Sequence, residues 1–235
     1  MFIGVLFTLS ISEPVKSILR PKTAHDAILQ PLNEFFSRKG LSHALIVLCF
    51  IFLYKLGDSM ATALAYPFYQ DLGFSKTDIG IIAKNAALWS SILGGFIAIP
   101  IIAKLGINKC LWLFGFIQLA SIVGFWFLSE AGPDKLLFAF VVSFEYLGVG
   151  LGTASYIAYI ARETNIQFAA TQFALLTAIS ALPRTFANSF SGVIVESIGW
   201  SDFYIFCCIL ALPGMLLLIK VAPWSSQTND SKLVD

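Results

Sequence analysis

Long apolar stretches alternate with short polar connections along most of this sequence. The apolar stretches cover positions 43–70, 75–103, 109–129, 134–162, 168–197 and 201–222. A helix needs about 20 residues to cross the roughly 30 Å hydrocarbon core of a bilayer, so each stretch is long enough to be a membrane span. Because the connections are short, the pattern predicts an all-α bundle of six transmembrane helices in which consecutive helices are antiparallel neighbours.

The composition agrees with a membrane protein and argues against an ordinary soluble domain. Hydrophobic residues make up 57% of the 235 residues, and the mean hydropathy is +0.81. Charged residues make up 12%, about half of the roughly 25% that is typical of globular proteins. The charges are sparse and sum to +1, so we expect a lipid bilayer and no nucleic acid as a partner. The four cysteines have neither zinc-site nor disulfide spacing, and we expect no metal and no cofactor.

Three segments flank the predicted spans. Residues 1–11 are apolar but too short to cross a bilayer, and we interpret them as the remnant of a preceding transmembrane helix. Residues 12–42 are predicted to form a cytoplasmic connector, and residues 223–235 a cytoplasmic polar tail. Within the connector, apolar residues recur at helical spacing around Pro31: Ile28, Leu29, Leu32, Phe35 and Phe36. They predict a short amphipathic helix on the membrane surface, with a partner-binding helix as the alternative.

Basic residues determine the predicted orientation of the bundle. If the connector is cytoplasmic, ten of the fifteen lysines and arginines fall on that side, two fall on the opposite side and three lie within the spans. Short loops rich in lysine and arginine face the cytoplasm. We therefore predict a multi-pass protein with both termini in the cytoplasm.

Five ionisable side chains lie within the predicted spans. They are Lys55 and Asp58 in the first span, Lys84 in the second, Glu145 in the fourth and Arg184 in the fifth. A charge at the bilayer centre costs about 2.5–3.5 kcal/mol on insertion scales, so five of them indicate a wet or paired interior of the kind that lines a solute pathway.

The order charged, charged, uncharged occurs twice among the six spans. Three is an odd number, so the second set of three spans enters the membrane from the opposite side. The pattern therefore predicts two inverted three-helix repeats, which form one half of a major facilitator fold. In that arrangement the first helix of each repeat lines the central cavity, and the third lies outside against lipid.

The acidic side chains are candidates for a proton site. Lys55 and Asp58 are three residues apart, so they share a helix face and can pair. The pair either neutralises charge and fixes the rotation of the helix, or faces the cavity and couples its protonation to transport. Glu145 stands alone in its span, and a carboxyl group withdrawn from water can exchange a proton near neutral pH.

The remaining polar candidates suit an anionic solute. Lys84 has no opposite charge within one helical turn, so its partner comes from another helix or from the solute, and Asn85 adds a hydrogen-bonding group beside it. Arg184 is a permanent positive charge. It either neutralises Glu145 or binds an anionic group on the solute, and the sequence leaves these two roles open.

Motifs typical of enzymes do not account for these residues. Neither H-E-x-x-H nor G-x-S-x-G occurs, and Asp58 lacks the second buried aspartate that an intramembrane aspartyl protease needs. The glycine-rich run from Gly148 to Gly152 lies inside a span without a flanking strand, so it indicates close helix packing rather than dinucleotide binding. We expect no enzyme activity.

Several longer runs of residues carry a family resemblance. They are Tyr54-Lys-Leu-Gly-Asp58, Gly80-Ile-Ile-Ala-Lys84, Phe144-Glu145, Ala170-Thr-Gln-Phe-Ala-Leu-Leu176, Leu29-Gln-Pro-Leu-Asn-Glu-Phe-Phe36 and Gly199-Trp-Ser-Asp-Phe-Tyr204. With these runs the sequence resembles the AmpG muropeptide permeases from about residue 25 to residue 222. Eukaryotic acetyl-CoA transporters are a weaker match. The similarity is to the C-terminal half of such a permease.

The resemblance implies a major facilitator permease of the bacterial inner membrane. Such permeases import N-acetylglucosaminyl-anhydro-N-acetylmuramyl peptides with protons during cell-wall recycling. The five ionisable residues fall where the family's pattern places the same residue types. We therefore expect Glu145 or Asp58 to be the proton site, and Lys55, Lys84 and Arg184 to help bind the lactyl or peptide carboxylates. We expect the chain to need a separately encoded N-terminal half. The alternatives are a truncated fragment that does not transport, and a permease for another anionic solute such as acetyl-CoA.

Overall fold

The computed structural model describes residues 24–224, and every regular element within them is helical. The α-helices are α1 (Ala24–Arg38), α2 (Leu41–Ala63), α3 (Ala65–Asp71), α4 (Lys76–Asp78), α5 (Lys84–Ala131), α6 (Lys135–Glu163) and α7 (Ala169–Val221). A π-helical turn, Ile79–Ala83, joins α4 to α5, and a 3₁₀ turn, Ile166–Phe168, precedes α7. The all-α prediction is confirmed for this part of the chain.

Four continuous helical segments are long and apolar enough to cross a membrane: Leu41–Asp71, Lys76–Ala131, Lys135–Glu163 and Ile166–Val221. Large apolar side chains are exposed along them, including Phe96, Phe140 and Leu216. A helix that is apolar on its outer face is suited to lipid rather than to water. Within residues 24–224, the chain is therefore a multi-pass membrane helix bundle.

Each of the two longest segments contains one glycine whose backbone is not helical. Gly106 has φ 79° and ψ 161°, and Gly199 has φ 79° and ψ 172°. A positive φ is readily adopted by glycine alone. Both glycines fall within connections that the hydropathy pattern predicts, between positions 103 and 109 and between positions 197 and 201. The structure thus describes four continuous helical segments where the hydropathy pattern predicts six spans.

Local sequence explains where the shorter connections begin and end. α5 ends at Ala131 and is followed by Gly132, which has φ 77°. The carboxylate of Asp134 then accepts hydrogen bonds from the backbone N–H groups of Leu136 and Leu137, at 2.8 and 2.9 Å, and caps α6. Ser75 caps α4 in the same way by accepting from the N–H of Asp78 at 3.0 Å.

Small residues allow the helices to pack closely. α2 packs mainly along α7, and α5 mainly against α6. A Cβ atom added at Gly150 of α6 would lie 2.4 Å from the carbonyl oxygen of Ser91 on α5, and one added at Gly57 would lie 2.6 Å from the Cβ of Ala211. Real Cβ atoms do not approach other atoms so closely, so glycine is required at both contacts. The glycine-rich run of α6 therefore has the packing role that the sequence indicates.

The helix predicted within the connector is present as α1, and it is docked on the bundle. Phe35 is buried in a cluster with Val47 and Phe50 of α2 and Leu176 of α7. The side chains of Ile28 and Leu29 remain exposed. Residues 1–23 and 225–235 lie outside the described range, so the predicted remnant at 1–11 and most of the predicted tail stay predictions.

Candidate functional site

The ion pair predicted on the first span is present. On α2, Lys55 Nζ lies 3.1 Å from Asp58 Oδ2, and both side chains are largely buried. Their separation of three residues places them on one face of the helix, as the sequence indicates.

Glu145 joins this pair from α6. Its carboxyl group is completely buried, and Oε2 accepts a hydrogen bond from the hydroxyl of Ser121 on α5. The carboxyl group of Glu145 is close enough to interact with that of Asp58, and Lys55 also interacts electrostatically with Glu145. Two helices, α2 and α6, thus bring together one lysine and two carboxyl groups, and α5 adds the hydroxyl of Ser121, although the sequence places Glu145 alone in its span.

Arg184 reaches the same region through a hydroxyl group. Its Nη1 donates to Thr62 Oγ1 at 2.6 Å, and that hydroxyl lies 2.9 Å from the backbone carbonyl oxygen of Asp58, to which it donates. Arg184 is exposed, and among residues 28–224 no carboxylate lies within 4.0 Å of it. The structure therefore does not pair Arg184 with Glu145.

Lys84 and Asn85 stand apart from the central cluster. Both are exposed at the start of α5, directly after the π-helical turn. The side-chain amide of Asn85 donates to the carbonyl oxygen of Ile81 at 2.6 Å, whereas Lys84 forms no ion pair with any described residue. The predicted site residues therefore form two sets. Lys55, Asp58 and Glu145 are buried together, whereas Lys84, Asn85 and Arg184 are exposed.

Two polar residues of α5 that the charge pattern does not single out belong to the central cluster. Ser121 is completely buried and contacts Glu145, while Gln118 is 5% exposed and its Nε2 has no hydrogen-bond partner among the described residues. Gln118, Asp58 and Tyr54 help to line a cavity of about 10 Å³, close to the minimum that holds one water molecule. Neither residue is ionisable, so the pattern of charges does not identify them. The sequence signal that could have identified them is two polar residues, three positions apart, on one face of an otherwise apolar span.

A second polar cluster lies where α1 meets the bundle. The carboxylate of Glu34 accepts hydrogen bonds from the side-chain amides of Asn165 and Gln172, at 2.7 and 2.6 Å. Gln172 also donates to the carbonyl oxygen of Pro31 at 2.9 Å, and its own Oε1 accepts from the backbone N–H of Asn165 at 2.7 Å. The runs 29–36 and 170–176, which both carry the family resemblance, therefore contact each other here.

Glu163, at the end of α6, contacts the end of α1, the short connection after it and the start of α2. Its Oε2 lies 3.4 Å from Lys39 Nζ and 3.7 Å from His43 Nε2, and its backbone carbonyl oxygen accepts a hydrogen bond from Arg38 Nη2 at 2.5 Å. In residues 24–224 no group of three or more histidine, cysteine, aspartate or glutamate side chains could hold a metal ion.

These features define the class of the protein as a multi-pass helical membrane protein with a charged group buried among its helices. The chain is 38% identical to the anhydromuropeptide permease of Escherichia coli over 216 residues, which is 92% of this chain and 43% of that permease. It is 31% identical to a Rickettsia felis protein named as a transporter, AmpG 4, over 92% of this chain and 53% of that protein. It is also 43% identical to an uncharacterised Haemophilus influenzae protein, over the whole of this chain and 57% of that protein. No protein-family model matches the chain.

The chain is a homologue of the AmpG-type permeases, which confirms the resemblance carried by its motifs. It spans about half the length of the curated relatives that it matches. The names of these relatives point to transport rather than to catalysis.

Proposed function

We propose that this chain is the C-terminal half of a proton-coupled permease that imports anhydromuropeptides across the bacterial inner membrane for cell-wall recycling. It would act together with a separately encoded N-terminal half. The observation that carries the proposal is the group of Lys55, Asp58 and Glu145 at the contact of three helices. The similarity to an anhydromuropeptide permease over 92% of the chain supports the solute.

Six spans are proposed in place of four. A helix of 56 residues, the length of Lys76–Ala131 and of Ile166–Val221, would be about 84 Å long at 1.5 Å per residue. This is nearly three times the roughly 30 Å hydrocarbon core. Division at Gly106 and Gly199 gives spans of ordinary length, and two sets of three spans then form the inverted repeats of a major facilitator half. The distribution of basic residues supports cytoplasmic termini.

Lys84 and Arg184 are proposed to bind the lactyl or peptide carboxylates of the solute, with Asn85 as a further hydrogen-bonding group. Both cations are exposed, and neither has a carboxylate within 4.0 Å in the described part of the chain. Cations within membrane segments are rare and mark solute pathways. The π-helical turn directly before Lys84 supports this assignment, because such turns are frequent at functional sites.

Glu145 and Asp58 are proposed as the proton site, and uptake measurements test the function. The chain is produced together with a separately encoded N-terminal half, and uptake of labelled anhydromuropeptide is followed with and without a protonophore. We expect proton-dependent uptake that collapses in Glu145→Gln and persists in Glu196→Gln, a matched change at an exposed glutamate of α7. Unchanged proton-dependent uptake in Glu145→Gln would contradict the proton assignment.

The same assay separates the alternatives. Arg184→Ala should raise the solute concentration needed for half-maximal uptake, whereas Lys104→Ala, at an exposed lysine of α5, should not. If no uptake occurs with the N-terminal half present, the non-transporting fragment is favoured. Stronger competition by acetyl-CoA than by unlabelled anhydromuropeptide would favour another anionic solute.

A further inference from the structure

The two carboxyl groups of the central cluster each have one oxygen with a partner and one without. Asp58 Oδ2 is paired with Lys55, and Glu145 Oε2 accepts a hydrogen bond from Ser121. Asp58 Oδ1 and Glu145 Oε1 are buried and have no partner among the described residues. A buried polar atom without a partner destabilises a structure by about 1–3 kcal/mol, and more when the group is charged. If both carboxyl groups were ionised, neither could donate a hydrogen bond to the other, so both Asp58 Oδ1 and Glu145 Oε1 would stay without a partner.

We propose that Asp58 and Glu145 share a single proton, which Glu145 carries on Oε1 and donates to Oδ1 of Asp58. One proton gives both buried atoms a partner, because the protonated carboxyl donates and the ionised carboxylate accepts. The two carboxyl groups are close enough to interact with each other. This inference rests on the proposed function, since it names the atom that binds the transported proton.

The surroundings favour Glu145 over Asp58 as the carrier. Lys55 lies 3.1 Å from Asp58 and stabilises its negative charge. Glu145 is completely buried, and no cation among residues 28–224 lies within 4.0 Å of its carboxyl group. An isolated charge in such a position is strongly disfavoured, so the neutral acid is the stable form.

Other titratable groups face Glu145, and they do not change the preference for a proton on Glu145 over one on Asp58. They are Tyr69 of α3, Tyr146 of α6, and Tyr204 and Cys207 of α7. Phenol and buried thiol groups are neutral near pH 7. Arg184 interacts with Tyr146, and Lys55 is the cation that interacts with Glu145.

The shared proton would control the contact between α2 and α6. With the proton present, one negative charge on Asp58 balances the positive charge on Lys55. After the proton leaves, two neighbouring carboxylates face one lysine. Their repulsion would favour separation of the two helices, which is the kind of change that couples proton release to movement.

Infrared difference spectroscopy tests the proposal without any need for transport. The purified full-length chain in lipid nanodiscs is compared at neutral and alkaline pH, and the carbonyl stretching band of a protonated carboxylic acid is followed. We expect this band at neutral pH in the unmodified chain and in Asp58→Asn, where it shifts because the acceptor has changed. It should be absent in Glu145→Gln. The matched control is Glu163→Gln, which replaces a buried glutamate that lies beside Lys39 and should leave the band unchanged.

Ser121→Ala keeps the proposal testable if Glu145→Gln does not fold. Removal of the hydroxyl that contacts Glu145 should shift the band, and an unshifted band would contradict the assignment. Absence of the band from the unmodified chain would also contradict it, as would loss of the band in Asp58→Asn alone. A chain that shows the band but supports no uptake would retain the shared proton and refute the proposed import function.

Discussion

At the scale of single residues, partners on other helices decide what each polar side chain can do. Lys55 and Asp58 were recognisable from their spacing alone, because both partners lie on one helix. Glu145 could be recognised as a candidate, but its neighbours could not, since Ser121 lies on α5 and Asp58 on α2. No sequence pattern within α6 specifies which helices face it.

Gly150 offers a stability test of close packing between α5 and α6. An added Cβ would lie 2.4 Å from the carbonyl oxygen of Ser91 and 3.0 Å from the backbone nitrogen of Gly95, and neither backbone atom can move aside without separating the helices. We expect Gly150→Ala to lower the free energy of unfolding by about 1–3 kcal/mol, as overpacked cores do. The midpoint of thermal unfolding in detergent micelles measures this.

Gly192 provides the matched control for that substitution. It also lies within a membrane helix, and an added Cβ would have no atom within 4 Å. Gly192→Ala should therefore be neutral or slightly stabilising, because alanine is the better helix former. Equal midpoints for the two variants would show that the contact at Gly150 is not tight in the folded protein.

At the scale of elements, the apolar stretches predicted that the described chain is a bundle of membrane helices, and they did not predict how those helices pack. Hydropathy depends on the side chains of one helix, so the ends of α6 at Lys135 and Glu163 lie close to the predicted bounds of 134 and 162. The position of α1 depends on Glu34, Asn165 and Gln172, which lie far apart in sequence. Amphipathic spacing predicted the helix itself, and it could not predict that Phe35 packs into the bundle.

The hydrogen bonds of Glu34 predict that one carboxylate holds α1 in place. Glu34→Ala removes the acceptor for the amides of Asn165 and Gln172, and a hydrogen bond to a charged group contributes about 1.5–3 kcal/mol. A loss of this size makes the undocked state roughly tenfold more populated or more. Trypsin should therefore cleave faster after Arg38 and Lys39, as measured by the rate at which the intact chain disappears.

Asn33→Ala is the control for this cleavage experiment, since Asn33 is an exposed residue of the same helix. Its cleavage rate should stay near that of the unmodified chain. If both variants are cleaved at the unmodified rate, the Glu34 contacts do not hold α1 on the bundle.

At the scale of the whole molecule, the two charged groups lie in different surroundings. Lys55, Asp58 and Glu145 are enclosed by three helices, whereas Lys84 and Arg184 face outward. Outward-facing cations on an otherwise apolar surface are expensive against lipid, so a protein or solute surface is their natural partner. The proposed assembly with an N-terminal half around the solute would supply such a surface.

The number of spans leads to a prediction about two connections. With the connector in the cytoplasm, six spans place the connection near Ala131 outside the cell membrane and the connection near Gln167 in the cytoplasm. Four spans, with helices unbroken at Gly106 and Gly199, reverse both positions. Ala131 and Gln167 are both exposed. Each can be replaced by cysteine in a variant from which the four cysteines of the natural sequence have been removed. A membrane-impermeant maleimide is then applied to intact spheroplasts. If there are six spans, it should label Ala131→Cys, and it should label Gln167→Cys only after the membrane is permeabilised. The reverse pattern would establish four spans and refute the inverted repeat.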